Sequence, residues 1–190
     1  FDELIDNHLR QTPDVQMVAI SDGAEWIARW LLNRYPYAVV ILDFYHALEH
    51  LACFAKTIFG DEVSCSQWIH ACSKELLEGQ IDRVIAAITL KKSACTGTAD
   101  REQADKLIGY YENNRYRMKY DEYRAAGLCI GSGAIESAIS TVVQQRCKLV
   151  GQRWTNRVTA VLNIRAVFKS KKRDKLRSVI SQQMGERMVA

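Results

Sequence analysis

The segment Ala38–Leu42 (AVVIL) constrains the fold most, because five apolar residues follow one another and Asp43 ends the run. Three of the five are β-branched, and such a run is typical of a strand that is buried on both faces. Upstream, the apolar segment 14–21 (DVQMVAIS) ends at Asp22 in the same way. A helical period over 24–34 separates the two runs. This order predicts parallel strands in an α/β layer.

Helical patterns fill most of the remaining chain. Only 2 prolines and 10 glycines occur in 190 residues, which favours long helices. The fold class expected is therefore α/β and helix-rich. Helices are predicted at 45–59, 66–77, 80–89, 99–119, 134–150 and 155–171.

The charge is distributed unevenly along the chain. Residues 1–145 carry 14 basic and 20 acidic side chains, whereas residues 146–190 carry 12 basic and 2 acidic ones. The net charge of +4 thus combines a balance of −6 with one of +10. A basic segment this concentrated favours a polyanionic partner such as nucleic acid. The alternative is a solvated, lysine-rich terminal helix.

Three carboxylates stand at positions suited to metal chemistry. Asp22 and Asp43 each follow a predicted strand, and the carboxyl ends of parallel strands are where α/β sheets place their sites. Glu136 lies in the first turn of the helix that follows Gly131-Ser132-Gly133. Converging carboxylates can hold the two Mg²⁺ ions of phosphoryl transfer. Structural alternatives are that Asp22 caps a helix and that Glu136 only complements a helix dipole.

Three blocks of sequence carry a resemblance to a known family. They are SDGAEWI at 21–27, AVVILDFYHALEHL at 38–51 and IGSGAIESAISTVVQQRCKLVGQRW at 130–154. Together they resemble DDE transposases, most of all those of ISKra-type bacterial insertion sequences, which are related to Mutator-like elements. The resemblance covers most of the chain and is strongest over 21–51 and 130–170.

The resemblance implies a fold and roles for particular residues. It implies a partial RNase H-like fold in which Asp22 is the second catalytic acid and Glu136 the third, both of them metal ligands. Mg²⁺ would be the cofactor, with Mn²⁺ as a substitute. Asp43 and His46 match an Asp-x-x-His signature, for which the residues themselves leave open whether His46 orients Asp43 or contacts DNA.

The basic segment also matches the family. Arg146, Lys148, Arg153 and Trp154 fit its R-x-K…G-x-R-W stretch, and Arg165 lies in an L-N-x-R block. Lysine and arginine neutralise phosphates, whereas Trp154 can stack on an unpaired base or anchor a core. The resemblance implies transposon-end and target DNA as partners, a homodimer as one assembly, and a bacterial cytoplasmic location at the nucleoid. The apolar runs are too short to span a membrane.

The first acid of a DDE triad lies on an earlier strand, and no strand-like run precedes Asp2, Asp6 or Asp14. We therefore expect the chain to be the C-terminal portion of a transposase that alone lacks a complete two-metal site. Four regions are predicted: 1–60 as the second part of the RNase H-like core, 61–127 as a helical insertion, 128–168 as the final core helix with the basic stretch, and 169–190 as a basic helical tail.

Two other functions fit parts of the sequence. The chain could be a catalytically inactive, transposase-derived protein that only binds nucleic acid. His46, Glu49 and His50 also form an H-x-x-E-H motif, in which two histidines on one helical face can bind zinc and the glutamate can act as a base. This motif makes a zinc protease a third hypothesis, while packed histidines within a helix would give the same pattern.

Overall fold

A computed structural model describes residues 2–12, 14–151, 153–155 and 158–170, so most of the predicted tail lies outside the described residues. The chain divides into two compact units between Ser132 and Gly133. The elements of the first unit are α1 (Asp2–Gln11), β1 (Val18–Ser21), α2 (Glu25–Arg34), β2 (Val39–Leu42), α3 (Phe44–Ile58), α4 (Glu62–Leu77), α5 (Ile81–Ala94), α6 (Thr98–Asn114), a 3₁₀ turn (Arg115–Arg117) and α7 (Tyr120–Ala125).

The two predicted strands pair in parallel, with Val18 opposite Val39 and Ser21 opposite Leu42. The helix-rich α/β class is thereby confirmed for the described residues. β1 is shorter than the predicted run 14–21, because only its last four residues pair. Both strands end at the same level, so Asp22 and Asp43 follow at the same edge of the sheet. We call this edge the carboxyl edge.

Helix α3 forms the centre of the first unit. Its apolar residues Ala47, Leu51 and Phe54 recur at helical spacing and are almost wholly buried. Ile41 and Leu42 of β2 belong to the same core as residues of α4–α7. The helices predicted as an insertion therefore share one continuous hydrophobic core with the strands and α3.

Three side chains of the segment 98–125 donate hydrogen bonds into this core. The Tyr111 hydroxyl donates to the carbonyl of Ala47 at 2.9 Å, and the Tyr120 hydroxyl donates to the carbonyl of Leu42 at 3.1 Å. The third donor is Arg117, which is described with the candidate site below. Because buried polar groups require partners, these bonds give the segment a fixed registration on β2 and α3.

The amphipathic helix α1 was not among the sequence predictions. Its residues Ile5 and Leu9 pack with Leu31, Tyr35 and Val40 in a second, smaller core. The Tyr35 hydroxyl donates to Asp6 Oδ1 at 3.2 Å, and Arg34 forms an ion pair with the same carboxylate. No helix in the described ranges is both long enough and apolar enough to cross a membrane.

The second unit begins as a helix whose geometry changes along its length. α8 (Gly133–Ala138) continues into a π-helical turn (Ile139–Gln144) and the short α9 (Gln145–Cys147), so the predicted helix 134–150 is interrupted. The helix α10 (Val158–Lys169) packs on the π-helical turn. Arg165 of α10 donates from Nε and Nη2 to the Thr141 carbonyl, at 3.0 and 2.8 Å.

Replacement of Tyr120 by Phe tests the registration of the helical segment. Tyr120→Phe should lower the free energy of unfolding by about 1–3 kcal/mol, because the buried Leu42 carbonyl loses this donor. Urea unfolding followed by circular dichroism measures the change. The control Tyr116→Phe removes a hydroxyl from a side chain that is 50% exposed and should change stability far less. Equal effects of the two substitutions would contradict the assigned role of Tyr120.

Candidate active site

Asp22 lies directly after β1 and is exposed to solvent. Its Oδ1 accepts a hydrogen bond from the backbone N–H of Ala24 at 3.1 Å. The residue at the N-cap of α2 is Ala24, so Asp22 does not occupy the capping position that the structural alternative gave it. The short turn at 22–24 instead orients the carboxylate at the carboxyl edge, where it remains accessible.

Asp43 occupies the equivalent position after β2, but its carboxylate is buried and accepts hydrogen bonds from other residues of the chain. Oδ1 accepts from the backbone N–H groups of Tyr45 (2.8 Å) and His46 (3.3 Å), which is the arrangement of a helix N-cap. Oδ2 accepts from the backbone N–H of Ser132 at 2.8 Å and from the Ser132 hydroxyl. Asp43 thus joins the start of α3 to the point at which the chain leaves the first unit.

The loop that reaches Asp43 passes close to the Tyr45 ring at Gly131. A Cβ atom at Gly131 would lie 2.6 Å from Cδ2 of Tyr45, well inside van der Waals contact. The preceding residue, Ile130, accepts a hydrogen bond through its carbonyl from the N–H of Phe44 at 2.9 Å. The Gly-Ser pair at 131–132 therefore permits the backbone to pack against the first turn of α3.

The environment of Asp43 sets its ionisation. Burial alone raises the pKa of this carboxyl, since the residue is only 5% exposed. Hydrogen bonds from Ser132, His46 and Tyr45 outweigh burial and hold the pKa below its ordinary value of 3.8. The folded protein therefore stabilises the charged form of the Asp43 carboxylate.

Ser21, the last residue of β1, is held by two partners. Its carbonyl accepts from the backbone N–H of Asp43 at 2.9 Å, and its hydroxyl oxygen accepts from Arg117 Nη1 at 3.1 Å. Arg117 is 0% exposed and donates from Nε and Nη2 to Asn114 Oδ1, at 2.8 and 2.5 Å. The residue before Asp22 is thus fixed by the neighbouring strand on one side and by the 3₁₀ turn on the other.

Tyr110 packs against the residue that follows Asp22. A side chain larger than hydrogen at Gly23 would overlap the Tyr110 ring. The Tyr110 hydroxyl is buried without a hydrogen-bond partner among the described residues. Burial raises its pKa to about 12, with the charge of Arg117 acting to lower it and those of Asp22 and Asp43 acting to raise it. A cavity of about 370 Å³ adjoins this ring and is lined in part by Arg117.

The two histidines of the H-x-x-E-H motif lie on the exposed side of α3. Their rings meet edge to face with centroids 4.9 Å apart, and His46 Nδ1 lies 3.3 Å from Glu49 Oε2. Burial against Tyr110 and the nearby His46 lower the pKa of His50, while Glu49 acts to raise it. The contact of His46 with Asp43 runs through its backbone N–H. No group of three or more His, Cys, Asp or Glu residues able to hold a metal ion occurs among the described residues.

The second unit contains Glu136 and the predicted DNA-binding residues. Glu136 is exposed in the first turn of α8. The Arg146 guanidinium lies over the half-buried Trp154 ring, 5.0 Å from its centroid, as a cation–π pair. Arg146, Lys148 and Arg153 are exposed, whereas Arg165 is half-buried and directed to the Thr141 carbonyl and Gln145. The Arg165 guanidinium is thus engaged within the unit.

Sequence reasoning did not single out Arg117, Tyr110 or Ser21. Tyr110, Asn114 and Arg117 are spaced four and three residues apart, which aligns them on one face of α6 and its 3₁₀ extension. The sequence pattern that could have identified them is this alignment of polar groups along an otherwise apolar helical face. What they contact, the end of β1, is distant in sequence and carries no local pattern.

Comparison of the chain with protein-family models, curated proteins and solved structures finds no significant match.

Replacement of Asp43 by Asn tests the role of its charge. Asp43→Asn should lower the free energy of unfolding by about 1.5–3 kcal/mol at pH 7, because hydrogen bonds to a charged acceptor become bonds to a neutral one. The folded pKa of Asp43 is depressed, so its stabilisation is complete above about pH 4 and is lost as the pH falls through the folded pKa. The difference between wild type and variant should therefore narrow as the pH falls below the ordinary carboxyl value of 3.8, as measured by urea unfolding across pH.

The matched control is Asp82→Asn, which removes a carboxylate that is 81% exposed and paired with Arg115. Exposed pairs contribute about 0–1 kcal/mol, so this variant should remain close to wild type at pH 7. A difference in the free energy of unfolding between wild type and Asp43→Asn that stays constant as the pH falls from neutral to well below 3.8 would refute the electrostatic role of Asp43.

Proposed function

We propose that the chain acts in DNA transposition as the C-terminal portion of a DDE transposase with an RNase H-like catalytic core. Asp22 and Glu136 are the metal-ligating carboxylates in this proposal. Arg146, Lys148 and Arg153 bind the phosphate backbone of DNA. The reaction is hydrolysis of a phosphodiester at the element end, which frees a 3′-OH, followed by attack of this 3′-OH on a target phosphodiester, which joins the two strands and releases a 3′-OH of the target.

The observation that carries the proposal is the contrast between the two aspartates at the carboxyl edge. Asp22 is exposed and oriented by one backbone hydrogen bond, whereas Asp43 is buried and accepts four hydrogen bonds. An exposed, oriented carboxylate at the end of a parallel strand is suited to bind a ligand. The resemblance of the sequence assigns the catalytic role to Asp22 and only a signature role to Asp43, in agreement with this contrast.

The donor groups at these positions fit the implied cofactor. Carboxylate oxygens are the hard ligands that Mg²⁺ and Mn²⁺ prefer, and Asp22 and Glu136 both expose their side chains to solvent. When bound, the metal pair activates the attacking oxygen and stabilises the leaving one. The contribution of this chain is to hold the Asp22 carboxylate in a fixed direction through Ser21, Gly23 and Ala24.

The charge distribution of the second unit supports DNA as the partner. Arg146, Lys148 and Arg153 lie within eight positions of one another and are exposed. The cation–π pair of Arg146 with Trp154 holds one guanidinium in place while leaving it at the surface. Cations held in this way neutralise phosphates and displace condensed counterions.

A protein that only binds nucleic acid is the second candidate, because the same basic residues would serve it. Such a protein needs no metal at Asp22. Metal binding at Asp22 therefore separates the two candidates, and DNA binding alone does not.

Replacement of Asp22 by Asn tests the metal-ligating role. Titration of the ¹⁵N-labelled chain with Mn²⁺ should broaden the amide signals of Gly23 and Ala24 in a saturable way, because a bound paramagnetic ion relaxes nearby protons. Asp22→Asn should abolish this broadening, since the amide side chain is a weaker ligand. Asp14→Asn, an exposed aspartate outside the strands, should behave as wild type. Unchanged broadening in Asp22→Asn would contradict the metal-ligating role of Asp22 and favour a protein that only binds nucleic acid.

Neutralisation of the basic cluster tests the DNA interface. The triple variant Arg146→Gln, Lys148→Gln, Arg153→Gln should weaken binding to a duplex and reduce the slope of log K against log [salt] by about 0.9 for each phosphate that is no longer neutralised, or up to about 2.7. Fluorescence anisotropy over a salt range of about 50–300 mM measures both quantities. The control neutralises three exposed cations of the first unit: Lys74, Arg83 and Arg124. An equal slope change in both triple variants would show only a general charge effect and refute the assigned interface.

A further inference from the structure

A buried cation lies behind the carboxyl edge. Arg117 is 0% exposed, and its hydrogen bonds go to Asn114 and Ser21. Among the described residues, no carboxylate oxygen lies within ion-pair distance of its guanidinium. Burial of a charge is costly unless it is paired, so packing alone would favour an apolar residue at this position. Packing alone therefore does not explain why an arginine lies at this buried position.

The contacts of the same helical face converge on the residues that flank Asp22. Arg117 donates to the Ser21 hydroxyl on one side, and the Tyr110 ring packs on Gly23 on the other. Asn114 connects the two, because its Oδ1 accepts from Arg117 and its Nδ2 donates to the Tyr110 carbonyl at 2.8 Å. The backbone is thus fixed before and after Asp22, whereas the carboxylate itself stays exposed.

Three charged side chains near this edge act on one buried hydroxyl. The Tyr110 hydroxyl experiences the positive charge of Arg117 and the negative charges of Asp22 and Asp43. Arg117 and the two aspartates therefore act in opposite directions on the same hydroxyl.

We propose that Arg117 is a positioning residue for Asp22. Through the Ser21 hydroxyl it fixes the end of β1 and hence the direction of the Asp22 carboxylate, and the helical segment that carries Arg117 serves as the scaffold of the candidate metal site. This inference rests on the proposed function for its metal ligand. The geometric claim, that the bond from Arg117 to Ser21 orders residues 22–24, stands independently of any metal.

The test uses the full ¹⁵N-labelled chain and Mn²⁺ as the probe. Ser21→Ala removes only the acceptor of the Arg117 bond and should weaken Mn²⁺ binding, read from the Gly23 and Ala24 amides, by about 10-fold or more, as loss of an outer-shell hydrogen bond does. Ser21→Thr keeps the hydroxyl and should retain the wild-type affinity. Arg117→Met should weaken binding at least as much as Ser21→Ala.

The matched control for the arginine is Arg115→Met, which removes a cation of the same 3₁₀ turn that pairs with Asp82 at the surface and should leave the affinity unchanged. If Arg117→Met does not fold, the comparison of Ser21→Ala with Ser21→Thr still decides. A structural role alone would reduce the free energy of unfolding without separating these two serine variants in Mn²⁺ affinity. Equal affinities for wild type and Ser21→Ala would overturn the proposal.

A separate readout distinguishes failure of this inference from failure of the proposed function. If Asp22→Asn leaves Mn²⁺ broadening unchanged, the metal-ligating role of Asp22 fails. The positioning role is then judged in metal-free spectra from the Ala24 amide, which donates to Asp22. A changed shift and faster hydrogen exchange in Ser21→Ala, with neither change in Ser21→Thr, would support it, and the absence of any difference between these variants would overturn it.

Discussion

The hydrogen bonds to the Asp43 carboxylate are the interaction on which the first unit depends. One buried carboxylate accepts from the first turn of α3 and from the loop at 130–132, while the backbone N–H of the same residue donates to Ser21 at the end of β1. The end of β1, the start of α3 and the loop that leads to the second unit are therefore all hydrogen-bonded to Asp43. Because these bonds favour the charged form, burial at this position is compatible with ionisation. The same junction contributes one backbone hydrogen bond to the residue that precedes Asp22.

The two aspartates differ although they follow paired strands at the same level. After β2 the helix begins at once with Phe44, so the Asp43 side chain meets free N–H groups and becomes a cap. After β1 the helix begins only at Glu25, so Asp22 bonds within a short turn and keeps its carboxylate in solvent. A difference of two residues in loop length thus separates a structural carboxylate from one available to a ligand.

Local patterns account for what the sequence could predict. The run Ala38–Leu42 and the helical periods predicted β2, α3 and the parallel pairing, because each depends on neighbours in the chain. The bonds from Ser132 to Asp43 and from Arg117 to Ser21 join residues 89 and 96 positions apart, and no periodicity encodes such contacts. The sequence pattern also allows Asp22 to be a helix cap. Which aspartate caps a helix depends on the exact residue at which each helix begins, and the pattern does not fix that residue. The RNase H-like fold and the metal ligands remain predictions.

The π-helical turn at Ile139–Gln144 changes how mutations and insertions in the second unit are to be understood. A π-helical turn accommodates one residue more than an α-helical turn, so the residues after it are rotated by about 100° from the positions that an uninterrupted α-helix gives them. A helical wheel drawn from Glu136 therefore assigns Arg146 to the wrong face. Relatives of this chain that lack one residue here would present their basic side chains in a different direction, even with every charged residue retained. The direction in which these side chains point thus depends on the number of residues in the turn as well as on which residues are present.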